Sequence, residues 1–207
     1  MIEPLPVRPH HLQMIAPFVL LIFVVAYRIV LGISGMHEMQ WLHNFSPIAA
    51  VALCGAVYLP RRVAIVLPML GLLLSDIALN IAYHIPFFTL EIIPHYCALA
   101  MIAVLGFKLR GKVGLGGLLC ASFAGSVLFY VLTNTGSWLS NPIYAKTFAG
   151  WVQALTVGDG APEHPSTLAF YRHTLVSDLL FTLLFERSMA LTSRKTAQVA
   201  AEPALAR

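Results

Sequence analysis

The chain has 207 residues, of which 58% are hydrophobic and only 11% charged, with a net charge of +4 and a mean hydropathy of +0.79. A soluble domain carries about 25% charged residues, so the composition excludes one and indicates a polytopic membrane protein with room for six spans. The net charge is then a topology signal rather than a nucleic-acid footprint, and Cys54, Cys97 and Cys120, unclustered within apolar runs, argue against a disulfide framework or a cysteine zinc site.

In chain order, residues 1–13 form a short cytoplasmic lead containing Arg8, and residues 14–33 form the first span, with Arg28 close to its far end. A cleaved signal peptide fits this stretch less well, because signal h-regions run ~7–15 apolar residues and do not carry an arginine near the end. A polar loop, 34–45, holds His37, Glu38, Trp41, His43 and Asn44. The second span, 46–59, is shorter; Pro47 suits the first helical position, and Ala52 with Ala56 permits close helix approach.

After Arg61 and Arg62 comes the third span, 63–83, VAIVLPMLGLLLSDIALNIAY, with Asp76 well inside. Asn80 and His84 follow on the same helical face. An ionisable group at that depth costs at least ~2.5 kcal/mol on insertion scales, so it faces a bundle interior and a partner or ligand. The fourth span, 95–109, and the fifth, 113–133, are joined by Lys108, Arg110 and Lys112.

Residues 134–168 are the one long connection. Within it, NPIYAKTFAGWVQAL reads as a short amphipathic helix with Tyr144, Phe148 and Trp151 on one face, following the polar TNTGSW with Asn134 and Trp138. The aromatic face suits either a lid over a solute entry, with Gly158–Ser166 as slack, or a fixed interfacial anchor. The sixth span, 169–191, opens near Arg172 and stacks Thr174, Asp178 and Thr182 at successive turns. The tail, 192–207, reads as cytoplasmic and disordered.

Ten of the thirteen basic residues fall on one side of such a six-span bundle, against Lys146 in the loops of the other. The positive-inside rule therefore predicts cytoplasmic termini. Arg28, Asp76, Asn80, Asn134, Trp138, Arg172 and Asp178 then gather in the outer half or near the midplane. That grouping suggests an outward-open cavity; a bracing ion pair, such as Arg28 with Asp76, is the structural alternative. His37, His43, His84, His95, His164 and His173 also map outward, but none has a tight metal-ligand spacing. No HExxH, GxSxG or nucleotide-binding GxxxxGK[ST] occurs, so the chain is not expected to be an enzyme and any use of ATP belongs to a partner.

The runs HNFSPIAAVALCGAVY, LPMLGLLLSDIALN, TNTGSWLSNPIYAKTFAGW and SDLLFTLLF resemble, over residues 40–190, an uncharacterised bacterial family of predicted membrane transport proteins. That family is similar in size and span number to the substrate-binding subunits of energy-coupling-factor vitamin transporters. Carried over by position, the resemblance points to Asn44, Pro47, Asp76, Asn134, Trp138, Tyr144 and Asp178, while GDGAPEHPS extends the last loop beyond the family pattern. It implies the bacterial inner membrane, and as partners a transmembrane coupling protein with ATPase subunits.

The expected protein is thus an all-α membrane protein of six spans that binds and takes up a small, vitamin-like or cofactor-precursor solute, with no cofactor of its own. Its candidate ligand-binding residues are Arg28, Asn44, Asp76, Asn80, Asn134, Trp138, Tyr144, Trp151, Arg172 and Asp178. A non-transporting subunit of a larger membrane complex is the rival reading, and uptake of a corrinoid, haem or transition metal a weaker one.

Overall fold

A computed structural model describes residues 25–30, 47–84, 86, 92–161 and 165–205, together with positions 19, 22, 23 and 33. Six helices have defined bounds: α1 (Ile48–Tyr58), α2 (Arg61–Tyr83), α3 (Ile92–Leu109), α4 (Leu115–Ser140), α5 (Phe148–Thr156) and α6 (Thr167–Leu205). Residues 25–30 are also helical, and no strand occurs among the described residues.

Among the described residues, four helices are long and apolar enough to cross a membrane: α2, α3, α4 and the part of α6 from Thr167 to Leu191. Their outward faces are apolar, with Ile65, Leu70 and Leu74 of α2, Val104 of α3, Phe123 of α4 and Val176 of α6 all exposed. In water such faces would be unstable, whereas hydrocarbon accepts them, since each helix satisfies its own backbone. The chain is a multi-pass membrane protein. The first expected span, 14–33, lies largely outside the described residues, as do residues 34–46.

The expected second span takes a different form. Helix α1 has 11 residues, about 16 Å at helical rise, half of a ~30 Å hydrocarbon core. It is buried all round, from Ile48 to Val57, and packs against α2, α3, α4 and α6. A helix apolar on every side belongs at the centre of a bundle. The Ala52 and Ala56 pair does mark a close approach: both are fully buried, and a Cβ at Gly106 of α3 would lie 2.6 Å from that of Ala56.

The basic residues collect at one end of this bundle. Arg110 reaches the C-terminus of α1, Arg61 and Arg62 open α2 just beyond it, and Tyr58 stacks on Phe185 at 5.9 Å, beside Arg187. The N-terminus of α1 therefore points away from the basic end, into the middle of the bundle.

Two helices extend past their expected ends. α4 continues through TNTGSW to Ser140, where asparagine and glycine suggested a loop. The polar side chains bond back onto the helix instead: Thr133 Oγ1 donates to the Phe129 carbonyl at 2.9 Å and Asn134 Nδ2 to the Tyr130 carbonyl at 2.8 Å. α6 continues to Leu205 across the stretch predicted to be a disordered tail; its alanine-rich sequence has high helix propensity.

Candidate functional site

A cleft of about 210 Å³ opens between α4 and α6, in the halves of both helices that lie away from the basic end. Its walls are aromatic, from Phe129 and Tyr130 on α4 and Phe170 and Tyr171 on α6. Tyr130 and Tyr171 stack directly on each other at its edge, with ring centroids 4.3 Å apart. Thr133, Asn134, Thr167 and Thr174 add polar edges. Ring stacking of this kind fixes the width between the helices, and the Tyr130 hydroxyl, donating to the Leu155 carbonyl, ties the wall to α5.

Beneath the cleft, one turn beyond Thr174 on α6, lies Asp178, completely buried. One carboxylate oxygen accepts a hydrogen bond from the Ala50 amide at 3.1 Å. Ala50 is in the first turn of α1, whose N-cap residue is Pro47 and has no side-chain cap. The first N–H groups of a helix have no intrahelical acceptor, and a negative charge there is favoured by the helix dipole. Asp178 thus caps α1 from a different helix.

The rest of its surroundings is a set of hydroxyls. Ser126 lies close enough to act on both the Asp178 carboxyl and the Tyr171 hydroxyl. The second oxygen of Asp178, the Ser126 Oγ and the Tyr171 Oη are all buried without a partner of hydrogen-bond geometry. Thr182 donates to Ser122 at 2.8 Å, and Ser122 in turn to the Asp178 backbone carbonyl at 3.3 Å. Buried polar groups are normally satisfied; these three oxygens stand in a row starting from a ring that lines the cleft, and the two hydroxyls among them can donate as well as accept.

A second polar centre sits on α2. Arg28 Nη2 bonds Asp76 Oδ1 at 2.7 Å, both side chains being 24% exposed. Tyr96 and His95 at the start of α3 lie within electrostatic reach of Asp76, and the His95 ring meets Phe129 edge-on at 5.6 Å. The pair expected as the structural alternative is present, outside the lining of the cleft.

The remaining candidate residues distribute as follows. Asn134 lines the cleft, and Trp151 donates to Thr135 Oγ1 at 2.9 Å, pinning α5 to α4. Trp138 belongs to α4 and donates to the Ala145 carbonyl at 2.8 Å. Tyr144 is buried but precedes α5, which begins at Phe148 with Thr147 as its N-cap. The expected continuous aromatic face of Tyr144, Phe148 and Trp151 is therefore not formed. Asn80 is half-buried one turn beyond Asp76, Arg172 is exposed on α6, and Asn44 lies outside the described residues.

Sequence reasoning missed Ser126, Tyr130 and Tyr171. The signal was present in part, since Ser122, Ser126 and Tyr130 recur every four residues along one face of α4. Among the described residues no three of His, Cys, Asp and Glu come together in a metal-holding group.

The chain belongs to a family of unknown function, DUF6580, whose model matches residues 9–202. No curated protein and no solved structure matches it.

Proposed function

We propose that this member of a family of unknown function is a small-solute-binding protein of the membrane, taking its solute into the α4–α6 cleft from the outer side. The observation that carries the reading is an aromatic cleft whose wall residue Tyr171 stands next to the buried oxygens of Ser126 and Asp178 beneath it. Ligand sites combine apolar walls with a few convergent polar groups, and an ionisable residue near mid-membrane is functional by default. With the basic end of the bundle cytoplasmic, the cleft faces outward, which suits uptake.

The half-length α1, whose N-terminus meets Asp178, adds to this. Transporters place the ends of interrupted helices at the midplane, where they meet the solute or ions. The role is binding and translocation rather than catalysis. Energy for uptake would come from a partner, as in the vitamin transporters whose binding subunits the chain resembles in size. The cleft is smaller than the ~300–1,000 Å³ of drug-sized sites, so the solute is compact.

Native mass spectrometry of the wild-type protein and of Thr174→Trp, both taken from their native membrane, tests this. A small molecule should accompany the wild type and be missing from the variant that fills the cleft. Identical spectra would refute the site.

A further inference from the structure

The carboxyl group buried beneath the cleft points to the chemistry of the solute. Asp178 is completely buried, and its polar neighbours are the Ala50 amide and the hydroxyl-bearing Ser122 and Ser126. Among the described residues no cationic side chain pairs with it. Other basic residues are engaged elsewhere: Arg28 holds Asp76, Arg110 holds the end of α1, and Lys146 holds the Trp138 and Asn141 carbonyls. Arg172 is exposed. A buried carboxyl either has a charged partner or holds its proton, and the α1 N-terminus supplies only one hydrogen bond and a partial charge.

Above it stand the rings of Tyr130 and Tyr171, stacked on each other, with those of Phe129 and Phe170. Aromatic faces carry negative potential and attract cations. The aromatic walls and the carboxyl group beneath them therefore favour the same sign of ligand charge, and both disfavour an anion.

We propose that the cleft binds a compact organic cation, an amine- or amidine-bearing solute whose charged group passes Tyr171 to reach the unpartnered oxygen of Asp178. This rests on the solute-binding reading above and names its substrate class. The rings would hold the body of the solute, while Ser126 and Tyr171 accept its remaining N–H donors. At about 210 Å³ the cleft suits a single-ring or short-chain amine.

Calorimetric titration of the full-length protein in lipid nanodiscs, with empty nanodiscs subtracted, tests the proposal using three probes of one shape and different charge. Benzylammonium should bind saturably and at least ~10-fold more tightly than benzyl alcohol, and benzoate should not bind. Asp178→Asn retains a carbonyl to accept the Ala50 N–H, so the cap survives while the charge is lost; it should reduce benzylammonium to the level of benzyl alcohol. Tyr171→Phe keeps the ring and removes the hydroxyl, and should weaken benzylammonium several-fold, which provides a second reading if Asp178→Asn melts early.

Benzoate binding as tightly as benzylammonium, or an unchanged preference in both variants, overturns the inference. If the uncharged or anionic probe binds and Thr174→Trp removes it, the cleft stands as a solute site and only its cation preference falls. Absence of saturable binding by all three probes overturns both.

Discussion

Asp178 and Arg110, on separate segments of the chain, hold opposite ends of the same buried helix. Asp178 accepts from the Ala50 amide at the N-terminus of α1, and Arg110 donates to the Ala56 and Leu59 carbonyls at its C-terminus. Anion at the start and cation at the end is the arrangement that complements the helix dipole. An isolated 11-residue helix is marginal even in water, and in an apolar bundle its unpaired terminal groups would cost more. The two residues meet those needs and fix where α1 stops, so that its N-terminus comes to rest beneath the cleft.

Arg110→Ala should therefore destabilise the bundle although Arg110 lies at its surface. Three hydrogen bonds from one guanidinium are lost, and we expect about 1–3 kcal/mol in reversible unfolding. Arg110→Lys should recover only part of this, because an ammonium cannot fork across two carbonyls as a guanidinium does. Equal stability of all three proteins would show that the C-terminal clamp contributes nothing.

At the other end, Asp178→Ala and Asp178→Asn should separate. Alanine removes the acceptor for Ala50 and should cost about 0.5–2 kcal/mol, with more from the space left in the core. Asparagine keeps an acceptor and should stay close to wild type. Thermal melts of the two variants give the comparison, and a more severe loss with asparagine would contradict the capping role.

Arg28 and Asp76 are predicted to act as a brace. Their pair is half-buried, so a value between exposed and buried pairs, about 1–3 kcal/mol, is expected for Asp76→Asn. A double-mutant cycle with Arg28→Met should return most of that loss as coupling energy. Unchanged stability together with lost solute binding would move the pair from the brace to the site.

How far the sequence foretold this arrangement depends on what each signal measures. Depth and polarity picked out Arg28, Asp76 and Asp178, because the cost of burying charge in a membrane leaves few reasons for keeping it. They could not tell that Arg28 pairs with Asp76 while Asp178 turns to a helix end, since both are tertiary choices. α1 is apolar on all faces, so no periodicity reveals which side packs or that the helix stops halfway. Arg110 looked like one more topology charge. TNTGSW read as a loop from its asparagine and glycine, yet its side chains bond their own helix, and Gly136 is where α4 packs against Pro94. The cleft itself joins Tyr130 to Tyr171; the four-residue recurrence of Ser122, Ser126 and Tyr130 marks one face of α4, but nothing in the sequence says that Tyr171 meets it.

The same kind of contact bears on the long connection between α4 and α6. Trp151 on Thr135, Tyr130 on the Leu155 carbonyl and Trp138 on the Ala145 carbonyl fasten α5 and its lead to α4. Amide exchange across 148–156 should therefore be slow without any added solute, and Trp151→Phe should quicken it by removing the bond to Thr135. Fast exchange in the wild type, slowing when solute is added, would restore the lid.

The most direct test of an aqueous cleft open to the outside is the reactivity of Thr174→Cys in a cysteine-free background. Thr174 lines the cleft, whereas Val176, two residues on, is exposed on the apolar face of α6. A charged, membrane-impermeant methanethiosulfonate reagent added to intact cells should modify a cysteine at position 174 and leave one at position 176 untouched. Silence at 174, or reaction there only after the membrane is opened, would contradict the account.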